Sequence, residues 1–185
     1  MTFEIPPHGL TLILGGARSG KSSHALKLAR DTGKSVAFIA TAQALDEEMS
    51  ARIEKHRAER PAHWQTLELP AHLAGHLGQI KSEVVILDCI TLLVSNLLMQ
   101  FADDDRVDEP RFLQTVQDEI QALLAAIGAS KQRWIIVSNE VGLGLVPPYP
   151  LGRIYRDALG WANQRLAQAA DRVLLMVAGI PLQIK

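Results

Sequence analysis

The segment Gly15-Gly16-Ala17-Arg18-Ser19-Gly20-Lys21-Ser22 has the form G-x-x-x-x-G-K-S, a spacing suited to nucleotide phosphates. Its glycines let successive backbone N–H groups curl around phosphate oxygens, and the helix that follows adds a partial positive charge. Lys21 would reach the β- and γ-phosphates, and the Ser22 hydroxyl would ligate Mg²⁺. An ordinary glycine turn is less favoured, because the motif lies between an apolar run and a helix start, and no G-x-G-x-x-G dinucleotide fingerprint can be read here. The motif predicts a phosphate-binding loop.

A carboxylate follows a second apolar run, residues 84–87, at Asp88. Phosphate-loop proteins use an acid in this position to hold Mg²⁺ or its water shell. Many strands end in Asp for turn geometry alone, so the interpretation depends on Lys21 and Ser22 upstream. With them, Asp88 is predicted to share a metal site with Ser22.

Residues 46–57 form a charged stretch with helical spacing, in which Leu45, Met49, Ile53 and His56 share one stripe. On periodicity alone, His56 reads as a histidine on the half-buried face of an amphipathic helix. The other interpretation is that this face looks into the nucleotide cleft, where a neutral imidazole can attack phosphorus and carry the product covalently. Arg57 and Arg60 would then stabilise charge on the phosphoryl oxygens, or they are ordinary surface cations.

The other reactive residue types show no catalytic spacing. The histidines at positions 8, 24, 63, 72 and 76 form no H-E-x-x-H or similar pattern, so no zinc site is expected. The serines near the phosphate loop lie in no G-x-S-x-G elbow, which disfavours a serine hydrolase. The acidic residues 103–109 fit a solvated loop that caps the next helix better than a metal cluster.

The composition excludes several classes of protein. A net charge of −1 gives no electrostatic footprint for nucleic acid or an anionic membrane. The single cysteine, Cys89, excludes an internal disulfide and suits a reducing cytoplasm, where it is expected to be a buried small residue. Residues 1–7 do not resemble a secretory signal, and the stretch 84–99 carries Asp88 and Asn96 and is too polar to span a bilayer. We therefore expect a cytoplasmic protein.

Apolar runs of strand length alternate with helix-like stretches along the chain. Strands are predicted at residues 10–14, 36–40, 84–87, 134–137 and 173–177, and helices at 21–32, 45–57, 92–101, 110–127 and 151–170. This alternation predicts an α/β fold of the P-loop NTPase-like kind, with a mostly parallel twisted sheet and helices on both faces. At 185 residues we expect one nucleotide-binding domain, residues 1–185, with residues 1–9 as an N-terminal extension.

The ordered set of motifs resembles one family, the bifunctional adenosylcobinamide kinase / adenosylcobinamide-phosphate guanylyltransferases of cobalamin biosynthesis. The resemblance covers nearly the whole chain from Leu10 onward. Beside the phosphate loop it is carried by residues 40–42, Arg52-Ile53, His56-Arg57, Arg60, Trp64, Thr66, Glu68, Asp88-Cys89-Ile90-Thr91, Asn96, Asn139-Glu140-Val141-Gly142, Arg156-Asp157, Gly160, Asn163-Gln164 and Ala170-Asp171.

The resemblance implies two successive reactions. The γ-phosphate of ATP or GTP is transferred to the aminopropanol hydroxyl of adenosylcobinamide, and GMP from GTP then passes through an enzyme histidine to adenosylcobinamide phosphate. The nucleophile falls on His56, which reverses the preference drawn from periodicity. Nucleotide contacts fall on Gly15, Gly16, Ala17, Arg18, Ser19, Gly20, Lys21, Ser22, Ala40, Thr41, Ala42, Arg57, Ala58, Glu59, Arg60, Glu68 and Asp88. A carboxylate such as Glu68 suits the guanine N1–H and N2–H₂ donors.

Two alternatives stay open from the residues alone, a P-loop switch ATPase and a simple small-molecule kinase that leaves His56 without a role. The sequence does not choose ATP or GTP as phosphoryl donor, and Glu140 and Asp157 are both candidates for activating the acceptor hydroxyl. The expected partners are the corrinoid substrate and GTP or ATP with Mg²⁺. Because a corrinoid is far larger than a pocket in a chain of this length, we expect an open cleft at a subunit boundary, in the homotrimer that the resemblance suggests.

Overall fold

Seven strands form one sheet in the order β3-β2-β4-β7-β1-β8-β9. The structure is a computed structural model that describes residues 5–6, 8–44, 46–103 and 106–185, apart from the side chains of Arg52 and Arg106. Six of these strands run parallel, and the seventh, β9, pairs antiparallel with β8. The strands are β1 (Gly9–Gly15), β2 (Val36–Ala40), β3 (Gln65–Glu68), β4 (Val84–Asp88), β7 (Arg133–Val137), β8 (Arg172–Val177) and β9 (Ile180–Gln183). A separate two-stranded ribbon joins β5 (Ala102–Asp103) to β6 (Arg106–Val107).

The helices lie on both faces of the sheet because the buried strands send alternate apolar side chains to opposite sides. On one face, Phe38, Ile86 and Ile135 pack with residues of α1. On the other, Ile39, Leu87 and Ile136 pack with residues of the remaining buried helices, α3 to α6. The helices are α1 (Lys21–Asp31), α2 (Glu47–Ala58), α3 (Ala74–Leu77), α4 (Ile90–Met99), α5 (Glu109–Ala129) and α6 (Pro150–Ala169).

The five predicted strands and five predicted helices are confirmed, with small shifts at their ends. Gly33 follows α1 with a φ of 64°, as a C-terminal glycine should. Helix α4 begins two residues before its predicted start, and α2 begins at Glu47, while Leu45 lies outside the described residues. The sequence prediction missed β3, β5, β6, β9 and the single-turn helix α3. Among the described residues, no helix is long and apolar enough to cross a membrane.

The acidic stretch caps the next helix, as predicted, but part of it forms a two-stranded ribbon where a solvated loop was predicted. Residues 103 and 106–107 belong to β5 and β6, and the Asp108 carboxylate accepts a hydrogen bond from the Arg111 N–H at the start of α5. The predicted capping role is therefore confirmed for Asp108, while Asp104 and Asp105 lie outside the described residues.

Candidate nucleotide site

The phosphate-loop motif connects β1 to α1, as predicted. Gly15 and Gly20 have φ angles of 150° and 92°, in the region that favours glycine, and Gly20 directly precedes the first turn of α1. Gly16, Ala17 and Arg18 are exposed, whereas Ser19 and Lys21 are buried. The Lys21 ammonium donates to the Gly16 carbonyl oxygen at 2.6 Å, inside the loop. The loop therefore presents its backbone to solvent around a buried cation.

Three of the predicted residues outside the loop lie side by side at the carboxyl ends of neighbouring strands. Ala40 pairs in register with Glu68 of β3 on one side and with Asp88 of β4 on the other. Adjacent strands are about 4.8 Å apart, so these residues form one short row. Strand β7 separates β4 from β1, which carries the phosphate loop. The row and the phosphate loop both lie at the carboxyl ends of the strands, the usual position of ligand sites in open α/β sheets.

Two arginines at the carboxyl end of α2 lie against this row, Arg57 in the last turn of the helix and Arg60 just beyond it. Arg57 forms an ion pair with the Glu68 carboxylate, and the Arg60 guanidinium lies 3.7 Å from the centre of the Phe38 ring. Burial lowers the pKa of Arg60, while the charge of Asp88 acts in the opposite direction and favours the cation. The structure thus brings Arg57, Arg60, Glu68 and Asp88 together.

The charges of Lys21 and Asp88 both act on the Cys89 thiol. Burial first, and then the negative charge of Asp88, raise the pKa of the Cys89 thiol to about 11, against weaker lowering by hydrogen bonds and by the Lys21 ammonium. The thiol is therefore protonated at neutral pH and unsuited to act as a nucleophile. A buried Cys89 was predicted, but the residue as a whole is half-buried. Its backbone forms the N-cap of α4, at the edge of the site.

Thr41 has a structural role that the sequence did not reveal. Its hydroxyl donates to the Cys89 carbonyl oxygen and accepts from the Cys89 N–H, both at 2.8 Å, and its own N–H donates to the Asp88 carbonyl oxygen at 3.2 Å. The Asn96 amide, on α4, donates to the Thr41 carbonyl oxygen at 2.8 Å. These bonds fix the backbone that directly follows the Asp88 side chain.

A similar brace holds the end of β7. The Thr91 hydroxyl accepts from the Asn139 N–H at 2.8 Å, and the Asn163 amide donates to the Asn139 carbonyl oxygen at 2.9 Å. The Glu140 N–H, one residue on, donates to the Gly15 carbonyl oxygen at 3.0 Å. Glu140 therefore lies directly beside the phosphate loop. Asp157, the other candidate for activating the acceptor, is exposed on α6.

Helix α2 carries His56 on a half-buried stripe. Met49, Ser50, Ile53 and His56 are half-buried, and the other described side chains of α2 are exposed. The stripe matches the predicted one from Met49 to His56, and it is too thinly covered to be part of the core. The Arg30 guanidinium of α1 donates to the Glu59 carbonyl oxygen, and the Arg57–Glu68 pair connects the same end of α2 to β3. His56 is therefore accessible on a helix that is anchored at its carboxyl end.

The remaining predicted contacts differ in exposure. Ala42 is half-buried behind Thr41, whereas Ala58 and Glu59 are exposed at the end of α2. Ser22 is half-buried in the first turn of α1.

Ser22 and Asp88 offer one hydroxyl and one carboxylate oxygen at the same sheet edge. In the described part of the chain, no three His, Cys, Asp or Glu side chains are grouped so that they could hold a metal ion. The pair of Ser22 and Asp88 fits Mg²⁺, which takes most of its ligands from water and substrate phosphates.

Comparison with known proteins agrees with this arrangement. The family model described as cobinamide kinase / cobinamide phosphate guanyltransferase matches residues 11–184. The chain is 46% identical over 181 residues to the bifunctional adenosylcobalamin biosynthesis protein CobU of Escherichia coli, covering 95% of this chain and 99% of that protein. It is 48% identical over 179 residues to the bifunctional adenosylcobalamin biosynthesis protein CobP of Pseudomonas aeruginosa, covering 94% and 96%.

A solved structure supports the fold independently. The flagellar accessory protein FlaH from Methanocaldococcus jannaschii superposes with a TM-score of 0.55 at 15% identity, covering 98% of this chain and 80% of that one. This likeness shows the fold alone, a P-loop NTPase-like sheet with helices on both faces. The match to the family model extends from the third residue of β1 to residue 184 and includes the phosphate loop, α2 and the row at Asp88. The chain is a member of the cobinamide kinase / cobinamide phosphate guanyltransferase family.

Proposed function

We propose that this protein phosphorylates adenosylcobinamide with ATP or GTP and then transfers GMP from GTP, through His56, to adenosylcobinamide phosphate. The product is adenosylcobinamide-GDP, in cobalamin biosynthesis. The observation that carries the proposal is the match of the family model to residues 11–184, which spans the phosphate loop, His56 and Asp88 in one chain. The simple-kinase alternative would use the phosphate loop and leave His56 without a function.

In the kinase step, the exposed backbone of residues 16–18 would cradle the phosphates and Lys21 would stabilise charge on the transferring group. Ser22 and Asp88 would hold Mg²⁺, which neutralises charge on the phosphate oxygens when bound. The acceptor hydroxyl attacks the γ-phosphorus, the bond to the β-phosphate oxygen breaks, and ADP or GDP leaves. Glu140 would accept the hydroxyl proton, because its backbone N–H is hydrogen-bonded to the Gly15 carbonyl oxygen and the residue therefore lies beside the phosphate loop.

In the second step, an imidazole nitrogen of His56 attacks the α-phosphorus of GTP and pyrophosphate leaves. The terminal phosphate of adenosylcobinamide phosphate then attacks the same phosphorus, the phosphorus–nitrogen bond breaks, and His56 is regenerated. Arg57 and Arg60 would stabilise charge on the phosphoryl oxygens. Guanine binding at Glu68 would replace the Arg57–Glu68 pair, which costs little because both side chains are more than half exposed.

The proposal includes a cytoplasmic location, consistent with the free thiol of Cys89, and a homotrimer in which the corrinoid occupies an open cleft at a subunit boundary. The protein binds no nucleic acid, since its net charge of −1 offers no attraction to a polyanion. A switch ATPase of the same fold would need a partner protein and would not form a covalent nucleotide adduct.

The test is labelling with α-labelled GTP and Mg²⁺ in the absence of corrinoid. Wild-type protein should acquire one GMP per active site, in an acid-labile and base-stable linkage typical of a phosphoramidate. His56→Ala should lose the adduct and the transferase step while kinase activity continues, because phosphoryl transfer to the substrate hydroxyl needs no protein nucleophile.

The matched control is His76→Ala, since His76 is an exposed histidine on the short helix α3. This variant should label like wild type. Removing a half-buried helical histidine should cost little stability, so loss of the adduct in a folded His56→Ala protein would not be a folding defect. Labelling of His56→Ala at the wild-type level, or an adduct mapped to another residue, would show that the assignment is wrong.

A further inference from the structure

The loop that joins Glu140 to α6, residues 141–149, exposes a group of large apolar side chains. Leu143 is 87% exposed, Leu145 97%, Val146 65% and Tyr149 59%. Single exposed apolar residues are common, but four of them in one loop next to a substrate site mark a binding surface. None of the residues assigned above to the nucleotide lies in this loop.

The loop is held in place from its carboxyl side. The Arg153 guanidinium donates to the carbonyl oxygens of Pro147 and Pro148 at 3.0 and 2.9 Å, and Arg156 donates to that of Gly142 at 2.9 Å. At its start, the Gly142 N–H donates to the Glu140 carboxylate at 2.6 Å. Polar contacts to the backbone thus fix the loop and leave its apolar side chains facing solvent.

The aromatic side chain of the loop is also positioned. A Cβ added to Gly152 would lie 2.6 Å from the Tyr149 ring and 2.8 Å from the Pro147 Cβ. The ring therefore packs over the start of α6, and the glycine makes room for it. The surface is organised before any ligand arrives, which lowers the entropy cost of binding.

The loop is continuous with the phosphate loop. Glu140, which directly precedes the loop, donates a backbone hydrogen bond to Gly15, and Leu143 follows three residues later. Three residues span at most about 10 Å, so a molecule resting on Leu143 lies within that distance of the strand end beside the phosphate loop.

We propose that residues 141–149 form the surface on which the corrinoid ring rests while its aminopropanol arm reaches the phosphate loop. This inference rests on the proposed function. A corrinoid is a broad, flat ring that carries methyl groups and amide side chains at its edge and is too large for an enclosed pocket in a chain of this length. Its ring face and methyl groups suit an open apolar surface. The surface grooves of about 590 and 370 Å³ lie on α5, and no predicted nucleotide residue lines them.

The experiment replaces Leu143 and Leu145 together with serine. These side chains are almost fully exposed, so the change should not affect folding. We expect the KM for adenosylcobinamide in the kinase reaction to rise about tenfold, equivalent to about 1.4 kcal/mol, with kcat little changed. Self-guanylylation without corrinoid and the molar mass in light scattering should match wild type. The control is Met99→Ser, because Met99 is 63% exposed at the far end of α4, about 14 Å along the helix from the site.

An unchanged KM in the double variant would overturn the proposal. A lower molar mass would overturn it too, because the loop would then be a contact between subunits. Equilibrium dialysis of adenosylcobinamide, followed by its visible absorption, gives a second measure of docking that needs no turnover. If wild type bound the corrinoid but neither phosphorylated it nor labelled with GTP, the proposed function would fail while the dialysis still tested the loop.

Discussion

Individual residues at this site divide into those that face the substrate and those that hold the first group in place. Thr41 was predicted as a nucleotide contact, yet its hydroxyl is used by both backbone groups of Cys89. Thr91 and Asn163 hold Asn139 in the same way. Such roles depend on contacts between segments 24 or 48 residues apart, which no local pattern in the sequence shows. Residue types could be predicted here, but their partners could not.

Glu140 gives the sharpest prediction at this scale. Glu140→Gln keeps an oxygen that can accept the Gly142 N–H, so the loop and the fold should be preserved. The amide cannot take up a proton from the acceptor hydroxyl, and general-base contributions are typically 10²- to 10⁴-fold. We expect kinase kcat to fall by about that range, while self-guanylylation by GTP, which uses His56, stays near wild type.

The control for this prediction is Asp157→Asn, since Asp157 is an exposed carboxylate on α6. It should leave both activities close to wild type. Full kinase activity in Glu140→Gln would remove Glu140 from the mechanism, and loss of activity in Asp157→Asn would assign the proton to the other candidate.

At the scale of elements, the sequence predicted the buried strands and missed the exposed ones. The five predicted strands are those whose side chains are mostly buried, such as β2, in which every residue is buried. Strand β3 has the sequence QTLE and lies at a sheet edge with three exposed residues of four, so its composition is that of a loop. Strand β9, at the other edge, contains a proline and leaves Ile180 and Leu182 exposed. Edge strands are defined by their neighbours, and hydrophobic periodicity does not detect them.

The hairpin between β8 and β9 has a role in the site that follows from this packing. The Gly179 N–H, in its turn, donates to the Ser19 carbonyl oxygen at 3.0 Å. A Cβ on Gly15 would lie 2.5 Å from the Met176 carbonyl oxygen of β8 and 2.7 Å from the Ser19 hydroxyl oxygen. The phosphate loop is thus pressed against β8, and its first glycine is needed for that approach as well as for its backbone conformation.

We therefore expect Gly15→Ala to destabilise the protein by about 1–3 kcal/mol, because the backbone of β8 cannot yield as a flexible side chain would. For a chain of this size, that corresponds to a fall in Tm of roughly 2–12 °C in thermal unfolding. Gly16→Ala is the matched control, since a Cβ at Gly16 would meet nothing within 4 Å and its φ is not in the left-handed region. Equal Tm values for the two variants would show that the close packing on β8 does not matter.

In the whole molecule, one edge of the sheet would serve two reactions from two sides. The phosphate loop, Glu140 and the apolar loop 141–149 lie toward β1 and β7, whereas Glu68, Arg57 and His56 lie toward β2 and β3. The first side suits a large apolar acceptor and the second suits a guanine base and a covalent carrier. Asp88, on the strand between them, can act in both steps through Mg²⁺.

Such an open arrangement leaves the corrinoid unenclosed by a single chain. The apolar surface of residues 141–149 can cover only one side of a broad ring, and a neighbouring subunit would cover the other. Closed rotational symmetry is the usual form of soluble homo-oligomers, and the family resemblance suggests three subunits. We expect light scattering at working concentration to give the mass of a trimer of the 20.3 kDa chain, with and without nucleotide. Since the second face of the cleft would come from another subunit, dilution below the assembly concentration should raise the KM for adenosylcobinamide and leave GTP labelling of His56 intact. A monomer with full kinase activity at that concentration would show that one chain suffices to hold the corrinoid.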